Sequence, residues 1–229
     1  MRIDVLTLFP EMFESPLAHS IIKRAQDNNI IEIVLTNIRD FTTDSYKKVD
    51  DKPYGGGPGM VMMCQPVFDC AEHVSKLPAE KGRTILLTPQ GQKFDQKKAV
   101  ELSKEKRLVL IAGRYEGFDE RIRIGLDAEQ ISIGDYVLSG GELAAMVIID
   151  AVARLLSGAL GDETSALDES FSESTAGRLE YPQYTRPEVF RDMKVPDILL
   201  SGDHKKIAEW RQQQTIERTK KWRPDLLGK

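Results

Sequence analysis

The sequence predicts an α/β domain built on a mostly parallel sheet, followed by a small all-α carboxyl-terminal domain. Three observations carry that expectation. Strand-like and helix-like runs alternate through the first two-thirds of the chain, a pattern that makes a parallel sheet covered on both faces. Three apolar runs break into loops marked by glycine, as buried strands ending in exposed turns do. Beyond them an acidic Ser/Thr/Gly-rich stretch interrupts the pattern, and a basic helix comes after it.

Taken in order, Ile3 to Phe9 is an aliphatic strand stopped by Pro10, which cannot donate to a ladder. Pro16 to Asn28 reads as a helix and Ile30 to Leu35 as a strand. Gln65 to Leu77 is expected to be helical, Arg83 to Thr88 a strand, Asp95 to Lys106 a helix and Leu108 to Ala112 a strand. Ile131-Ser-Ile133 is a further short run, and Glu142 to Leu156 is an apolar helix. From Ser157 to Gly177, ten of 21 residues are Ser, Thr or Gly, five are Asp or Glu and none is Lys or Arg. A structureless loop of that length is uncommon inside a compact domain, so the stretch reads as a linker or a segment that orders on binding. Asp203 can then cap a helix running to about Trp222, with Ile207, Trp210 and Ile216 facing inward. The expected division is an α/β domain over 1–157, an acidic flexible linker over 158–177 and a helical domain over 178–229.

Bulk properties exclude several classes. The 229 residues, 41% hydrophobic and 30% charged, suit one large globular domain or two smaller ones. Met1-Arg-Ile-Asp-Val carries charges where a signal peptide would be apolar. The longest apolar stretch, Leu143 to Leu156, contains Asp150 and Arg154 and is too short to span a bilayer. Cys64 and Cys70 form neither a disulfide framework nor a zinc pattern, and His19, His73 and His204 are scattered. The expectation is a cytoplasmic protein with no membrane partner and no bound metal. A net charge of −4 argues against a general nucleic-acid coat. Between His204 and Pro224, however, seven Lys/Arg face only Glu209 and Glu217, which leaves room for a polyanionic partner.

The glycine-marked loops are Thr88-Pro-Gln-Gly91, Gly113-Arg-Tyr-Glu-Gly117 and Gly134-Asp-Tyr-Val-Leu-Ser-Gly-Gly-Glu142. One glycine usually marks a tight turn, but three such loops ending separate strands point to a ligand crevice. Tyr54-Gly-Gly-Gly-Pro-Gly59 lacks the Lys-Ser/Thr of a phosphate-binding loop, since Met60-Val61 comes next. The other loops lack G-x-G-x-x-G spacing, which disfavours a nucleotide-hydrolysing or dinucleotide-dependent enzyme. Arg154, one turn after Asp150, has the ordinary reading of a helix-end cation or an intrahelical ion pair. Asp168 and Glu169 read as solvated linker charges, the basic run as a solvated face, and Met60, Met62 and Met63 as packing residues.

Longer strings add a more specific signal: VDDKPYGGGPGM (49–60), LTPQGQ (87–92), GRYEGFDER (113–121), SIGDYVLSGGEL (132–143), YPQYTRPEVF (181–190) and LLSGDH (199–204). By these the chain resembles the bacterial tRNA (guanine-N1)-methyltransferases, TrmD-like enzymes of the SPOUT class, over essentially its whole length. The resemblance implies a deep trefoil knot in the α/β domain, an exception to ordinary chain topology. It also implies S-adenosyl-L-methionine as methyl donor and a homodimer with active sites at its interface. Its substrate would be tRNA, methylated on ring nitrogen 1 of guanosine 37 when another guanosine precedes it. Whether a divalent cation such as magnesium assists stays open.

Carried over by position, the cofactor contacts are Leu87 and Pro89 from the first loop and Gly113, Tyr115, Glu116 and Gly117 from the second. The third loop contributes Ile133, Gly134, Asp135, Tyr136, Val137, Leu138, Gly140 and Gly141. The family's linker carboxylate takes the proton of ring nitrogen 1, and an Arg on the preceding helix stabilises the guanine oxygen. Arg154 matches that Arg. At the base this chain departs from the pattern: where Asp-Ser-Phe is usual it has Glu169-Ser170-Phe171, preceded by Asp168. Glu169 is the aligned base, one methylene longer, and Asp168 is the alternative. Ala144 stands where Pro is usual. Two other readings compete: an RNA-binding protein without turnover, and a methyltransferase of the same class acting on another RNA.

Overall fold

A computed structural model describes residues 1–77, 79–160 and 169–227. The chain divides into two compact units, Met1–Gly161 and Asp162–Lys229.

The first unit is built on five parallel strands, β1 (Arg2–Thr7), β2 (Glu32–Asn37), β5 (Arg83–Lys93), β6 (Arg107–Ala112) and β7 (Glu129–Ser132). Their order is β2-β1-β6-β5-β7, and every pairing is parallel. Period-two alternation sorts the strands' apolar residues between two cores. Ile3, Val5, Ile85, Leu87, Leu108 and Leu110 face α1 (Ser20–Asp27), α3 (Gln96–Leu102) and α5 (Glu142–Ala153). Leu6, Leu86, Val109 and Ile111 face α2 (Cys64–Ser75) and α4 (Glu120–Gly125). Every residue of β6 is buried, as a central parallel strand covered on both faces must be. Each fully buried Leu or Ile there contributes about 1.5–3 kcal/mol. Asp4 is buried and paired with Arg107 at 2.8 Å; that guanidinium also donates to Val74 O at 2.8 Å.

Several boundaries differ from expectation for local reasons. β5 runs to Lys93 instead of stopping at Thr88. Leu87 and Gln92 both pair with Ile131, so 88–91 bulge out between them. Pro89 has no N–H for a ladder, which suits it to the bulge. The helix expected from Pro16 begins at Ser20, behind a short 3-10 turn over Pro16–Ala18. α3 stops at Leu102 rather than Lys106. α5 stops at Ala153, and Leu155 and Leu156 close it with bonds to carbonyls three residues back. α4 and a two-residue ladder between β3 (Asp50–Asp51) and β4 (Val61–Met62) are additions too short to show a period.

The second unit contains α6 (Asp197–Leu200), α7 (His204–Trp222) and a hairpin of β8 (Val189–Phe190) and β9 (Met193–Lys194). The hairpin corrects the expectation of a purely helical unit. Its turn residues Arg191 and Asp192 both have positive φ, the conformation that Asn-Gly would have announced. Asp203 caps α7 as expected, accepting from Lys206 N–H at 3.1 Å. The inward residues of α7 do not match expectation: Thr215 and Thr219 are buried, while Ile207, Trp210 and Ile216 are half-buried.

Of the expected linker, 161–168 lie outside the described residues. Residues 169–178 form hydrogen-bonded turns, with Phe171 N–H donating to Arg178 O at 2.7 Å and Gly177 N–H to Ser172 O at 2.9 Å. Among the described residues no helix is long and apolar enough to cross a membrane.

Candidate active site

Because β5 lies between β6 and β7, the loops leaving the carboxyl ends of all three strands are neighbours. They enclose a cleft of about 300 Å³. Leu87 and Pro89 line it from the first loop, and Gly113, Tyr115, Glu116 and Gly117 from the second. From the third come Ile133, Gly134, Tyr136, Val137, Leu138, Gly140 and Gly141. Asp135 does not belong to the lining: its carboxylate is solvent-exposed and pairs with Lys93 at 3.1 Å. Sequence position alone could not tell which way that one side chain turns.

Backbone hydrogen bonds fix the loops. Gly117 N–H donates to Arg114 O at 3.1 Å, and Tyr115 takes the left-handed conformation with φ 61°. Glu116 N–H donates to Met60 O and Met62 N–H to Gly117 O, each at 2.9 Å. The glycine-rich 54–59 segment is thereby joined through β4 to the second loop. Gly141 N–H donates to Gly113 O at 2.7 Å, tying the third loop to the second. That approach requires glycine, since a Cβ on Gly141 would lie 2.8 Å from both Ala112 Cα and Gly113 N.

The walls are mainly backbone and apolar groups. Partial burial, and then the neighbouring Asp50, push the Tyr115 phenol above its usual range, so it stays protonated at neutral pH. Glu120 pairs with Arg123 at the rim. The Arg121 guanidinium holds the nearby Asp119 carboxyl well below the usual carboxylate range. Among the described residues no group of three or more His, Cys, Asp or Glu is placed to hold a metal. Arg114 also lines the cleft, although a charged residue inside a glycine loop gives no sequence signal that it will be buried. Chemically, such a cleft suits a flat, neutral ring read by main-chain N–H and C=O groups better than a polyphosphate.

Arg154 closes α5 as its carboxyl-terminal cap, its N–H donating to Asp150 O at 3.3 Å. It is not among the described residues lining the cleft, which meets α5 at its other end through Gly141 and Ala144. Asp168 lies outside the described residues. In the second unit, Glu169 O accepts from Ser172 N–H at 3.2 Å, and Leu179 N–H donates to Thr219 Oγ1 at 3.1 Å. On α7, Arg211 lies over the Tyr181 ring at 4.5 Å and Arg218 over Trp222 at 4.6 Å. Part of the basic run is thus laid on aromatic surface; Lys221, itself exposed, has its ammonium 5.3 Å over the Trp222 ring, and Lys220 is exposed beside it.

The family model described as tRNA (Guanine-1)-methyltransferase TrmD matches residues 1–229. The chain is 59% identical over 227 residues to the tRNA (guanine-N(1)-)-methyltransferase of Geobacillus kaustophilus (strain HTA426), covering 99% of this chain and 91% of the relative. It is 56% identical over 227 residues to the protein of that description from Anoxybacillus flavithermus (strain DSM 21510 / WK1), with coverage of 99% and 91%. For Bacillus cereus (strain AH820) the identity is 54% over 227 residues, with coverage of 99% and 92%.

Proposed function

Since the chain belongs to the tRNA (guanine-1)-methyltransferase family, we propose that it methylates ring nitrogen 1 of guanosine 37 in cytoplasmic tRNA, next to the anticodon, with S-adenosyl-L-methionine as donor. The observation that carries this reading is the cleft itself: three loops from adjacent parallel strands, lined by glycine backbone and apolar side chains with Arg114 and Glu116 among them, and closed by the Gly113–Gly141 contact. These residues fit the cofactor. Main-chain groups of the three loops would read its adenine, and Leu87, Ile133 and Leu138 would cover its apolar faces. When bound, S-adenosyl-L-methionine supplies an electrophilic methyl group on a sulfonium, which needs no phosphate cradle.

Ring nitrogen 1 of guanine carries a proton at neutral pH and is a poor nucleophile until a base accepts it. Glu169 is assigned that role, with Asp168 as the alternative. Arg154 is assigned to the guanine oxygen, where negative charge grows as the proton leaves. The same reading includes the trefoil knot. It is supported by the way α5, entered through the Gly141–Gly113 contact, packs back on β6 and β1.

It also includes a homodimer with an active site at each interface, and two observations support that. α5 is apolar nearly all round, yet Leu143 and Val147, one turn apart, are each almost half exposed. Twelve residues make α5 about 18 Å long, so Arg154 stands too far from its own chain's cleft to reach it. An Arg154 that acts in catalysis would therefore act at the cleft of a second copy.

The test of the base is methyl transfer to tRNA by the wild type, Glu169→Gln and Asp168→Asn. Glu169→Gln is expected to lose at least a hundredfold in kcat, within the usual worth of a general base, with Asp168→Asn near wild type. The opposite ranking would move the base to Asp168.

A further inference from the structure

Arg114 and Glu142 form the one deeply buried charge pair beside the cleft, among the described residues, that methyl transfer does not use. Glu142 is completely buried at the start of α5, and the Arg114 side chain is 16% exposed. Arg114 Nε lies 2.8 Å from Glu142 Oε2, but off the N–H direction, so the contact is an ion pair without a hydrogen bond. Glu142 Oε1 accepts from the Thr7 hydroxyl at 2.8 Å, and Thr7 Oγ1 accepts from Phe9 N–H at 3.0 Å. The Arg114 guanidinium sits 4.5 Å over the Phe9 ring and donates to Ser139 O at 3.3 Å. One side chain from the second loop thus touches the third loop, the start of α5 and the segment that follows β1.

Room for it is made by Gly140, whose Cβ would meet Arg114 Nε and lie 2.5 Å from Glu142 Oε2. Packing alone does not call for charges here: a buried ion pair is often matched or bettered in stability by apolar residues of similar volume. A fixed charge pair does differ from an apolar contact in one respect, because it holds two loops in one register and makes any other register leave a charge uncompensated.

We propose that Arg114 and Glu142 are positioning residues, whose pairing holds the second and third loops in the spacing that admits the cofactor. This rests on the cofactor reading of the cleft. Neither side chain need touch the reacting atoms. Their effect would appear in cofactor affinity and not in the binding of tRNA.

Calorimetric titration with S-adenosyl-L-methionine, filter binding of tRNA and thermal melting would be run on the wild type, Glu142→Gln, and the double variant Arg114→Met with Glu142→Leu. Glu142→Gln keeps an acceptor for Thr7 but leaves Arg114 unneutralised; its cofactor Kd is expected to rise at least tenfold with tRNA affinity unchanged. The double variant is expected to melt within a few degrees of wild type and still bind cofactor at least tenfold more weakly. Wild-type cofactor affinity in Glu142→Gln would overturn the proposal, whether or not the double variant folds. So would a double variant that regains full affinity, because packing alone would then suffice. A wild type that binds tRNA but no cofactor would overturn the reading of the cleft first, and this inference with it.

Discussion

Arg154 stands at the carboxyl end of α5, where a cation is accounted for by the helix dipole alone, and helix position therefore assigns it no chemistry. What separates a dipole-compensating Arg from a catalytic one is which constant moves on its removal. Arg154→Ala is expected to lower kcat by at least a hundredfold with the cofactor Kd within a factor of two of wild type, measured by single-turnover transfer and by titration. A helix-end role alone would instead lower the melting temperature and spare kcat per folded molecule, since such a contact contributes roughly 0.3–1 kcal/mol. The residues of the cleft were legible to different degrees for physical reasons. Gly113, Gly117, Gly140 and Gly141 show themselves because each place requires glycine: Gly141 by close backbone approach, Gly113 and Gly140 because a Cβ would meet the Phe118 ring or the Arg114 and Glu142 side chains, and Gly117 by its φ of 115°. Arg114 does not, because a loop arginine is ordinarily solvated and its burial is explained only by contacts made in the folded chain, with Glu142, Phe9, Ser139 O and Met12 Sδ. Asp135 fails in the opposite sense, its side chain turning out to Lys93 while both chain neighbours line the cleft.

Among elements, the sheet was the most legible part, since Leu108–Ala112 is buried on both faces and reads as an unbroken apolar run, while Ile3–Thr7, equally buried, is interrupted only by Asp4 and Thr7. The return of β5 beyond its bulge was not, because Gln92 and Lys93 pair with β7 while carrying polar side chains. α7 was legible in extent and cap but not in its buried face, where two threonines stand in place of the expected isoleucines and tryptophan. Thr219 turns its hydroxyl to Thr215 O at 2.7 Å while accepting from Leu179 N–H, which satisfies a polar group that the composition alone would have placed outside. The exposed charges of this helix are the part that can meet a polyanion. Replacing Lys220 and Lys221 by Ala is expected to weaken tRNA binding and reduce the slope of log Kobs against log salt by about 0.7–0.9 for each phosphate no longer neutralised. Filter binding across a salt series measures it, with cofactor affinity unchanged. An unaltered slope would assign these lysines to a solvated surface.

At the scale of the whole molecule, a parallel sheet with a crevice at its strand ends follows from the sequence pattern, whereas the strand order has no periodicity to announce it, and neither would the proposed knot and second copy. The apolar exposed side of α5 and the distance of Arg154 from its own cleft are properties of the folded chain, and both agree with a site completed by a partner. The central claim is chemical: a methyl group passes from S-adenosyl-L-methionine to nitrogen 1 of one guanosine. It is tested most directly by incubating the wild-type protein with labelled S-adenosyl-L-methionine and tRNA transcripts that differ only in guanosine or adenosine at position 37, then digesting the product to nucleosides. Label recovered as 1-methylguanosine from the guanosine transcript alone is the expected result. Label in both transcripts, in another nucleoside, or in neither would contradict it.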